Sequence, residues 1–282
     1  MNITYRLIAV DIDGTMLNSR SELTPRVRQA VERAVGAGVL FTISTGRPLC
    51  GVERLNLSLE GDLPVIAYNG AAVIMSGSKK VLFSRNLSPR LCRETVALGL
   101  ERGVSVNIWV DDTLYAASDS EKNDKYRRIS RFEPILGADI DGIAKNGASK
   151  VLWCDDAETI ARLQDDMREW FKGRLNCHTS SPSLLEFVDL GASKAGAMEK
   201  LGEHFGIKRS EMIAIGDGYN DLSMLKYAGL GVAMANAPQA VKDMADYVTL
   251  SNDEDGVAHV IEKFILSNIN NGKDGYHDFT FA

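Results

Sequence analysis

Short apolar runs without polar alternation are the feature that most limits how this chain can fold. They lie near both ends of the sequence, at residues 7–10, 39–43, 64–67, 212–215 and 230–234. Strands of this length without a polar face are typical of a parallel sheet that helices cover on both sides. Helical patterns separate the runs, the first with Thr24 as N-cap, others at 194–205, 222–228, 238–245 and 256–264. This alternation predicts a doubly wound, Rossmann-like α/β fold with a parallel sheet.

The middle of the chain has a different pattern, because its strands alternate polar and apolar residues and come in pairs. The clearest pair is 104–110 with 113–117, joined by a tight turn at Asp111 and Asp112. We therefore expect an inserted α+β domain. The predicted division is a core domain at 1–86 and 187–266, an α+β cap domain at 87–186 and a flexible tail at 267–282.

Charge and composition limit the partners. The 282 residues include 32 Lys and Arg against 38 Asp and Glu, a net charge of −6, and contain no long basic run. This balance argues against nucleic acid or a membrane surface as a partner. The sequence also shows no secretory signal, and its four cysteines have no C-x-x-C spacing. We expect a cytoplasmic monomer or weak homo-oligomer that binds a small molecule.

Two carboxylates follow the first apolar run, in the segment Asp11-Ile-Asp-Gly-Thr15. In open α/β sheets, ligands bind at the carboxyl ends of the strands. Residues two apart on an extended chain point the same way, so Asp11 and Asp13 can face one substrate. A plain acidic turn is an alternative for this segment alone. A calcium loop fits less well, because Gly14 follows the second carboxylate directly.

Three further polar segments stand at comparable places. Ser44-Thr-Gly-Arg47 follows the second run, Gly216–Asp221 follows the run at 212–215, and Lys194 opens a predicted helix. Taken singly, they are compatible with an ordinary turn, an acidic N-cap at Asp221 and a solvated lysine. Hydroxyl and backbone N–H groups at strand ends nevertheless suit phosphate oxygens, and a lysine at a helix start hints at a nearby anion.

If these segments converge, the carboxylates of Asp11, Asp13, Asp217 and Asp221 repel one another strongly. Two unit charges 4 Å apart interact by about 4 kcal/mol at an effective dielectric constant of 20. Carboxylate oxygens with open positions for water and phosphate suit Mg²⁺, and Lys194 adds positive charge. The convergence therefore predicts a magnesium site.

With metal and phosphate present, the first two carboxylates can divide the chemistry. Asp11 would attack phosphorus, since a carboxylate is already ionised at neutral pH. Asp13 would protonate the leaving oxygen and then accept a proton from water. The phosphoryl group would be positioned by Thr45, Gly46, Lys194 and Asn220.

In their order and spacing along the chain, these four segments resemble the four motifs of the haloacid dehalogenase superfamily, and most closely its Cof-type sugar-phosphatase branch. The resemblance implies an inserted cap that covers the active site and sets substrate choice. It implies that Asp11 is the nucleophile and a metal ligand, that Asp13 also ligates metal through its carbonyl, and that Asp217 is the third protein ligand. It further implies phosphate binding by the main chain of Ile12 and support of the metal's water shell by Asp221. Arg47 either guides the anion or pairs with a surface acid.

The leading hypothesis is a Mg²⁺-dependent phosphatase that hydrolyses small phosphomonoesters, chiefly sugar phosphates, through an aspartyl-phosphate intermediate. One alternative is a hexose phosphomutase, which would hand the phosphoryl group to another hydroxyl of the sugar. The other is a non-catalytic phospho-aspartate switch, against which Asp13 argues, because a positioned acid/base shortens the life of the phosphoryl enzyme.

Overall fold

The computed structural model describes residues 5–57, 59, 61–117, 121–137 and 139–267. The predicted tail at 267–282 therefore lies, beyond its first residue, outside the described residues. The chain forms two compact units: one contains the described residues up to Phe83 and from Ser193 onward, and the other is Ser84–Ala192. None of the helices in the described ranges is long and apolar enough to cross a membrane.

The helices and strands follow one another along three segments of the chain. The first segment contains β1 (Leu7–Val10), α1 (Pro25–Gly36), β2 (Leu40–Ser44), α2 (Leu49–Glu53), β3 (Pro64–Ala67), β4 (Ala72–Met75) and β5 (Val81–Ser84). The middle segment contains α3 (Pro89–Glu101), β6 (Ser105–Val110), β7 (Thr113–Ala116), α4 (Glu121–Ser130), β8 (Ile135–Leu136), α5 (Ile140–Ile143), β9 (Lys150–Cys154), α6 (Ala157–Trp170), β10 (Leu175–Ser181) and β11 (Leu184–Asp189). The last segment contains α7 (Lys194–Phe205), β12 (Met212–Gly216), α8 (Leu222–Tyr227), β13 (Leu230–Ala233), α9 (Gln239–Lys242), β14 (Tyr247–Val248) and α10 (Gly256–Ile261).

The first unit is built on an eight-stranded sheet in the order β14-β13-β12-β1-β2-β3-β4-β5. The six strands from β14 to β3 are parallel, and β4 runs antiparallel to β3. All residues of β1, β2, β3 and β12 are buried, as expected for strands covered on both faces. The predicted doubly wound α/β fold is confirmed. The order places the carboxyl end of β1 beside the ends of β2 and β12.

Helix α1 illustrates how the sequence sets the helices of this unit. The Thr24 side chain accepts a hydrogen bond from the Val27 N–H at 3.3 Å, and Pro25 occupies the first turn, where its missing N–H costs nothing. The apolar residues at helical spacing are the buried ones, namely Val27, Ala30, Val31 and Ala34. The predicted start and inner face of this helix are confirmed.

The ends of the chain's later helices differ from the predicted spans. Helix α9 stops at Lys242 rather than at residue 245, because Met244 and Ala245 donate to carbonyls three residues back, the pattern of a tighter turn. Helix α10 continues beyond Ile261 as a π-helical turn over Glu262–Leu266. Periodicity alone does not distinguish these backbone patterns.

The second unit contains a six-stranded sheet in the order β10-β11-β9-β6-β7-β8. Its pairs are antiparallel except for β7 with β8. Strand β11 is continuous from Leu184 to Asp189, so it crosses the position 186/187 at which the sequence pattern divides cap from core. The sequence pattern does not show where this strand ends, because its end depends on pairing with β10.

The β6–β7 hairpin has the two-residue turn expected at Asp111 and Asp112. Both residues are left-handed, with φ of 47° and 58°, which is typical of the type I′ turn that matches the twist of a hairpin. Aspartate tolerates this conformation better than most side chains, although less well than glycine. The turn is therefore formed at a conformational cost.

We predict that Asp112→Gly gives a more stable protein than Asp112→Ala, by about 1 kcal/mol in the free energy of unfolding. Glycine has no Cβ to oppose a positive φ, whereas alanine has one and lacks the polar group of aspartate. Urea denaturation of the two variants beside the wild type measures this difference. Equal stability of the two variants would contradict the assigned turn.

Candidate active site

The site is centred on Asp11, the first residue after β1. Its N–H donates to the Ile215 carbonyl of β12 at 3.0 Å, which extends the parallel ladder by one residue. The residue is only 6% exposed. A carboxylate in this position has lost most of its hydration, so it requires partners from the protein or from a bound cation.

Lys194 supplies the first partner from the start of α7. Its side chain is fully buried, and its Nζ donates to Asp11 Oδ1 at 2.7 Å, to the Ser44 carbonyl at 2.7 Å and to Asp221 Oδ1 at 2.6 Å. An ammonium group has three hydrogens, and these three acceptors use all of them. The structure therefore joins the ends of β1 and β2 to the segment after β12 through one side chain. The predicted convergence of Lys194 with Asp11 and Asp221 is present.

Asp221 is held by the backbone as well as by Lys194. Its Oδ2 accepts from the Asp217 N–H at 3.0 Å and the Gly218 N–H at 2.8 Å. The carboxylate therefore closes the loop in which it lies, which explains why it is completely buried. The residue does more than cap the helix α8 that follows it.

Asp217 lies near Asp11 and is held by the loop that follows β1. Its Oδ1 accepts from the Thr15 hydroxyl at 2.9 Å. Gly14 packs against it with a φ of 82°, and a Cβ at that position would lie 2.4 Å from Asp217 Oδ2. Glycine at position 14 therefore permits both the turn after Asp13 and the close approach of Asp217.

The cluster fits a divalent cation. Carboxylate oxygens of Asp11, Asp217 and Asp221 lie within 4.8 Å of one another. Hard oxygen donors at this spacing are what Mg²⁺ and similar ions take, usually with water completing the shell. Lys194 and the backbone occupy the Asp221 oxygens, so Asp11 and Asp217 are the better ligands of the three.

Burial dominates the electrostatics of this cluster when no cation is bound. Burial raises the pKa of Asp11 to about 7, although Lys194 opposes the change and Asp221 adds to it. Burial also raises the pKa of Asp217, against the Thr15 hydrogen bond. For Lys194, burial by itself would lower the pKa, but the neighbouring charges of Asp11 and Asp221 raise it above its ordinary value. The Lys194 ammonium group therefore stays charged and contacts both carboxylates, Asp11 and Asp221, at once.

Asp13 has a different environment from Asp11. The chain turns directly after β1, since Met16 and Leu17 donate to the Ile12 carbonyl at 3.0 Å. The Asp13 carboxylate is 53% exposed and forms a bidentate ion pair with Arg47, with both contacts at 2.7 Å. The expectation that Asp11 and Asp13 point the same way assumed an extended chain, whereas in the structure their side chains have different partners. Of the two alternatives for Arg47, the structure shows the pairing with an acid.

The other predicted phosphate-binding residues are chain neighbours of the residues that form the cluster: Ile12 follows Asp11, Thr45 and Gly46 follow Ser44, and Asn220 precedes Asp221. Ile12 is buried between the two carboxylates, and Thr45 is 1% exposed at the end of β2. The Thr45 hydroxyl accepts from the Arg47 N–H at 3.1 Å, which shapes the loop around Gly46. Asn220 donates through Nδ2 to Asn69 Oδ1 at 3.2 Å.

Asn69 is the residue at this site that the sequence reasoning missed. It lies in a 3₁₀ turn, Tyr68–Gly70, that follows β3. The available signal was an Asn-Gly pair directly after an apolar run, at the same sheet edge as the other motifs.

Comparison with known proteins places this geometry in a family. Residues 8–261 match the haloacid dehalogenase-like hydrolase family. The chain is 36% identical over 269 residues to YxeH of Bacillus subtilis, a protein with a provisional phosphatase name, covering 93% of this chain and 99% of that one. It is 30% identical over 287 residues to the 5-amino-6-(5-phospho-D-ribitylamino)uracil phosphatase YwtE of the same organism, covering 92% and 98%.

Solved structures agree with the sequence comparisons. A haloacid dehalogenase-like hydrolase from Bacteroides thetaiotaomicron superposes with a TM-score of 0.82 at 32% identity, covering 93% of this chain and all of that one. The subclass IIB sugar phosphatase BT4131 shares the fold, with a TM-score of 0.75 at 24% identity over 92% of this chain and 98% of its own.

The chain belongs to the haloacid dehalogenase-like hydrolase family, so the resemblance to that superfamily is confirmed. It is an enzyme of the phosphoric monoester hydrolase class.

We predict that the contribution of Asp11 to wild-type stability falls between about pH 4 and pH 7 in metal-free buffer. The folded-state pKa of Asp11, about 7, lies above its ordinary value of 3.8, so the folded protein holds this proton more tightly than the unfolded chain. The corresponding stability is present at low pH and is lost as pH rises through that window. Asp11→Asn should remove this loss.

The measurement is the urea unfolding free energy with EDTA at about pH 5 and about pH 8. Asp165→Asn is the matched control, since it makes the same change at a carboxylate that is 89% exposed. From the lower to the higher pH, Asp11→Asn should lose less stability than the wild type, on top of the fixed cost of removing a partner of Lys194. Parallel pH dependence of the two proteins would contradict the assigned burial effect.

Proposed function

We propose that this protein is a Mg²⁺-dependent phosphatase of small phosphomonoesters, chiefly sugar phosphates, and that it acts through an aspartyl phosphate on Asp11. The observation that carries the proposal is the buried Asp11 carboxylate between Lys194 and the Asp217 carboxylate at the end of β1. A nucleophile needs a fixed position, and these partners fix the position of the Asp11 carboxylate.

In the first half-reaction an Asp11 oxygen forms a bond to phosphorus as the ester P–O bond breaks. Asp13 donates a proton to the departing oxygen. When bound, Mg²⁺ supplies positive charge that offsets the charges of Asp11, Asp217 and the phosphoryl oxygens. Lys194 holds the second Asp11 oxygen and leaves the attacking one free of that contact. The backbone of Ile12 and Gly46, with Thr45 and Asn220, binds the phosphoryl oxygens.

In the second half-reaction Asp13 accepts a proton from water as the water oxygen attacks phosphorus. The bond between phosphorus and Asp11 breaks, and inorganic phosphate leaves. Each step requires Asp13 to exchange Arg47 for the reacting group. Their side chains are 53% and 38% exposed, and ion pairs at that exposure contribute about 0–1 kcal/mol, so this exchange costs little. Arg47, once released, can contact the substrate anion.

Sugar phosphates are supported as substrates by the relatives. YwtE is named for a substrate with a phosphorylated ribityl chain, which is a polyol phosphate, and BT4131 is titled a sugar phosphatase. The net charge of −6 and the absence of a basic run in the sequence favour a small anion bound at a local site over a polyanion. The inserted unit at 84–192 supplies the side chains that select among such substrates in this proposal.

We predict that the wild type releases phosphate from part of a panel of hexose, pentose and polyol phosphates with Mg²⁺, and that Asp11→Asn lowers kcat by about a thousandfold or more. The amide is isosteric but cannot attack phosphorus. Asp165→Asn should be unchanged, because its carboxylate is exposed on α6.

Three outcomes would contradict the proposal. If Asp11→Asn were as active as the wild type, Asp11 would not be the nucleophile. Formation of an isomer without free phosphate would indicate a phosphomutase. A phosphoryl enzyme that persists for many minutes with Mg²⁺ present would indicate a switch.

We predict that Asp217→Asn and Asp13→Asn separate metal binding from turnover. Loss of the Asp217 carboxylate should weaken Mg²⁺ binding, so that the Mg²⁺ concentration needed for a given rise in unfolding temperature increases by about tenfold to a hundredfold. Asp13→Asn should keep that dependence, since its side chain pairs with Arg47 outside the acidic cluster, and lose turnover instead. Unfolding temperatures across a Mg²⁺ series, with phosphate release, measure both. Equal Mg²⁺ dependence in the two variants would contradict the assigned ligands.

A further inference from the structure

The turn after β3 has an unusual backbone. Tyr68, Asn69 and Gly70 have φ of 52°, 55° and 96°, so three consecutive residues are left-handed. This conformation is expected for glycine, tolerated by asparagine and unfavourable for tyrosine. Such strain persists only where surrounding contacts hold it. The contacts that hold this turn therefore indicate which parts of the site depend on its conformation.

Two backbone hydrogen bonds join the turn to the loop after β2. The Tyr68 N–H donates to the Arg47 carbonyl at 3.1 Å, and the Asn69 N–H donates to the Thr45 carbonyl at 2.9 Å. A Cβ on Gly46 would lie 3.1 Å from both Asn69 amide atoms, so the Asn69 side chain packs directly over that backbone. The turn thus fixes the loop that binds phosphate in the proposed function.

The same turn touches the start of α7. A Cβ on Gly70 would lie 2.1 Å from the Ser193 carbonyl oxygen and 2.8 Å from the backbone nitrogen of Lys194. Glycine at position 70 therefore lets the backbone approach the residue whose side chain joins Asp11, Ser44 and Asp221. The position of Lys194 depends on this contact.

The Asn69 side chain reaches the segment after β12. Asn220 Nδ2 donates to Asn69 Oδ1 at 3.2 Å. An amide nitrogen carries two hydrogens, and when one is directed to Asn69 the orientation of the other is fixed. A single side chain thus contacts both Gly46 and Asn220, which lie in different loops of the phosphate site.

We propose that Asn69 is a positioning residue of the phosphate site, which orients the Asn220 amide and the Gly46 backbone toward the phosphoryl group. The inference rests on the proposed phosphatase function. Asn69 meets both requirements of its position, since it accepts the Asn220 hydrogen bond and tolerates a positive φ. Glycine would satisfy only the second.

The test uses Asn69→Gly in the full chain, because glycine keeps the left-handed backbone and deletes the side chain. We expect stability equal to or above wild type, with kcat/KM lower by about tenfold, the effect of losing one well-placed hydrogen bond. Inhibition by inorganic phosphate should weaken by a similar factor. Asn56→Gly is the matched control, since Asn56 is also left-handed, with φ of 45°, and is exposed on the loop after α2.

A double-mutant cycle with Asn220→Ala tests whether Asn69 acts through Asn220. If Asn69 acts through Asn220, the substitution Asn69→Gly should lower kcat/KM much less in the Asn220→Ala variant than in the wild type. Full activity and phosphate inhibition in Asn69→Gly would overturn the inference, as would strictly additive effects in the cycle. These outcomes are read against an active wild type, whereas an inactive wild type would overturn the proposed function itself.

Discussion

The buried ammonium group of Lys194 is the interaction on which the rest of the site depends. Its three hydrogens meet Asp11, the Ser44 carbonyl and Asp221, so the ends of β1 and β2, the start of α7 and the loop after β12 must all meet at one point. A buried ion pair contributes little net stability, but removing one partner leaves an uncompensated charge that costs about 3–5 kcal/mol. The contact therefore specifies the arrangement more than it stabilises the fold.

The sequence predicted those parts of the structure that follow from burial. Uninterrupted apolar runs located β1, β3 and β12, and the rule that ligands lie at the carboxyl ends of parallel strands brought Asp11 and Asp217 to one edge. The cluster in the structure is the outcome of these two rules. Neither rule needs the conformation of an individual loop.

Features that depend on loop conformation could not be predicted in the same way. The different environments of Asp11 and Asp13 follow from a turn that begins directly after β1, which residue spacing does not show. The importance of Asn69 follows from contacts with segments that lie 23 or more residues away in the chain, as Asn220 does at a separation of 151. An Asn-Gly pair predicts a turn but does not indicate which loops the turn will touch.

The insertion of residues 84–192 as one continuous piece has a consequence for biosynthesis. The inserted unit has its own buried core, so it can fold as soon as its segment has left the ribosome. The sheet of the other unit must wait, because β1 needs β12 as a neighbour and Lys194 follows Asp11 by 183 residues. During synthesis the first half of that sheet therefore exposes the unpaired side of β1, and this edge stays open to wrong pairing until β12 has been made.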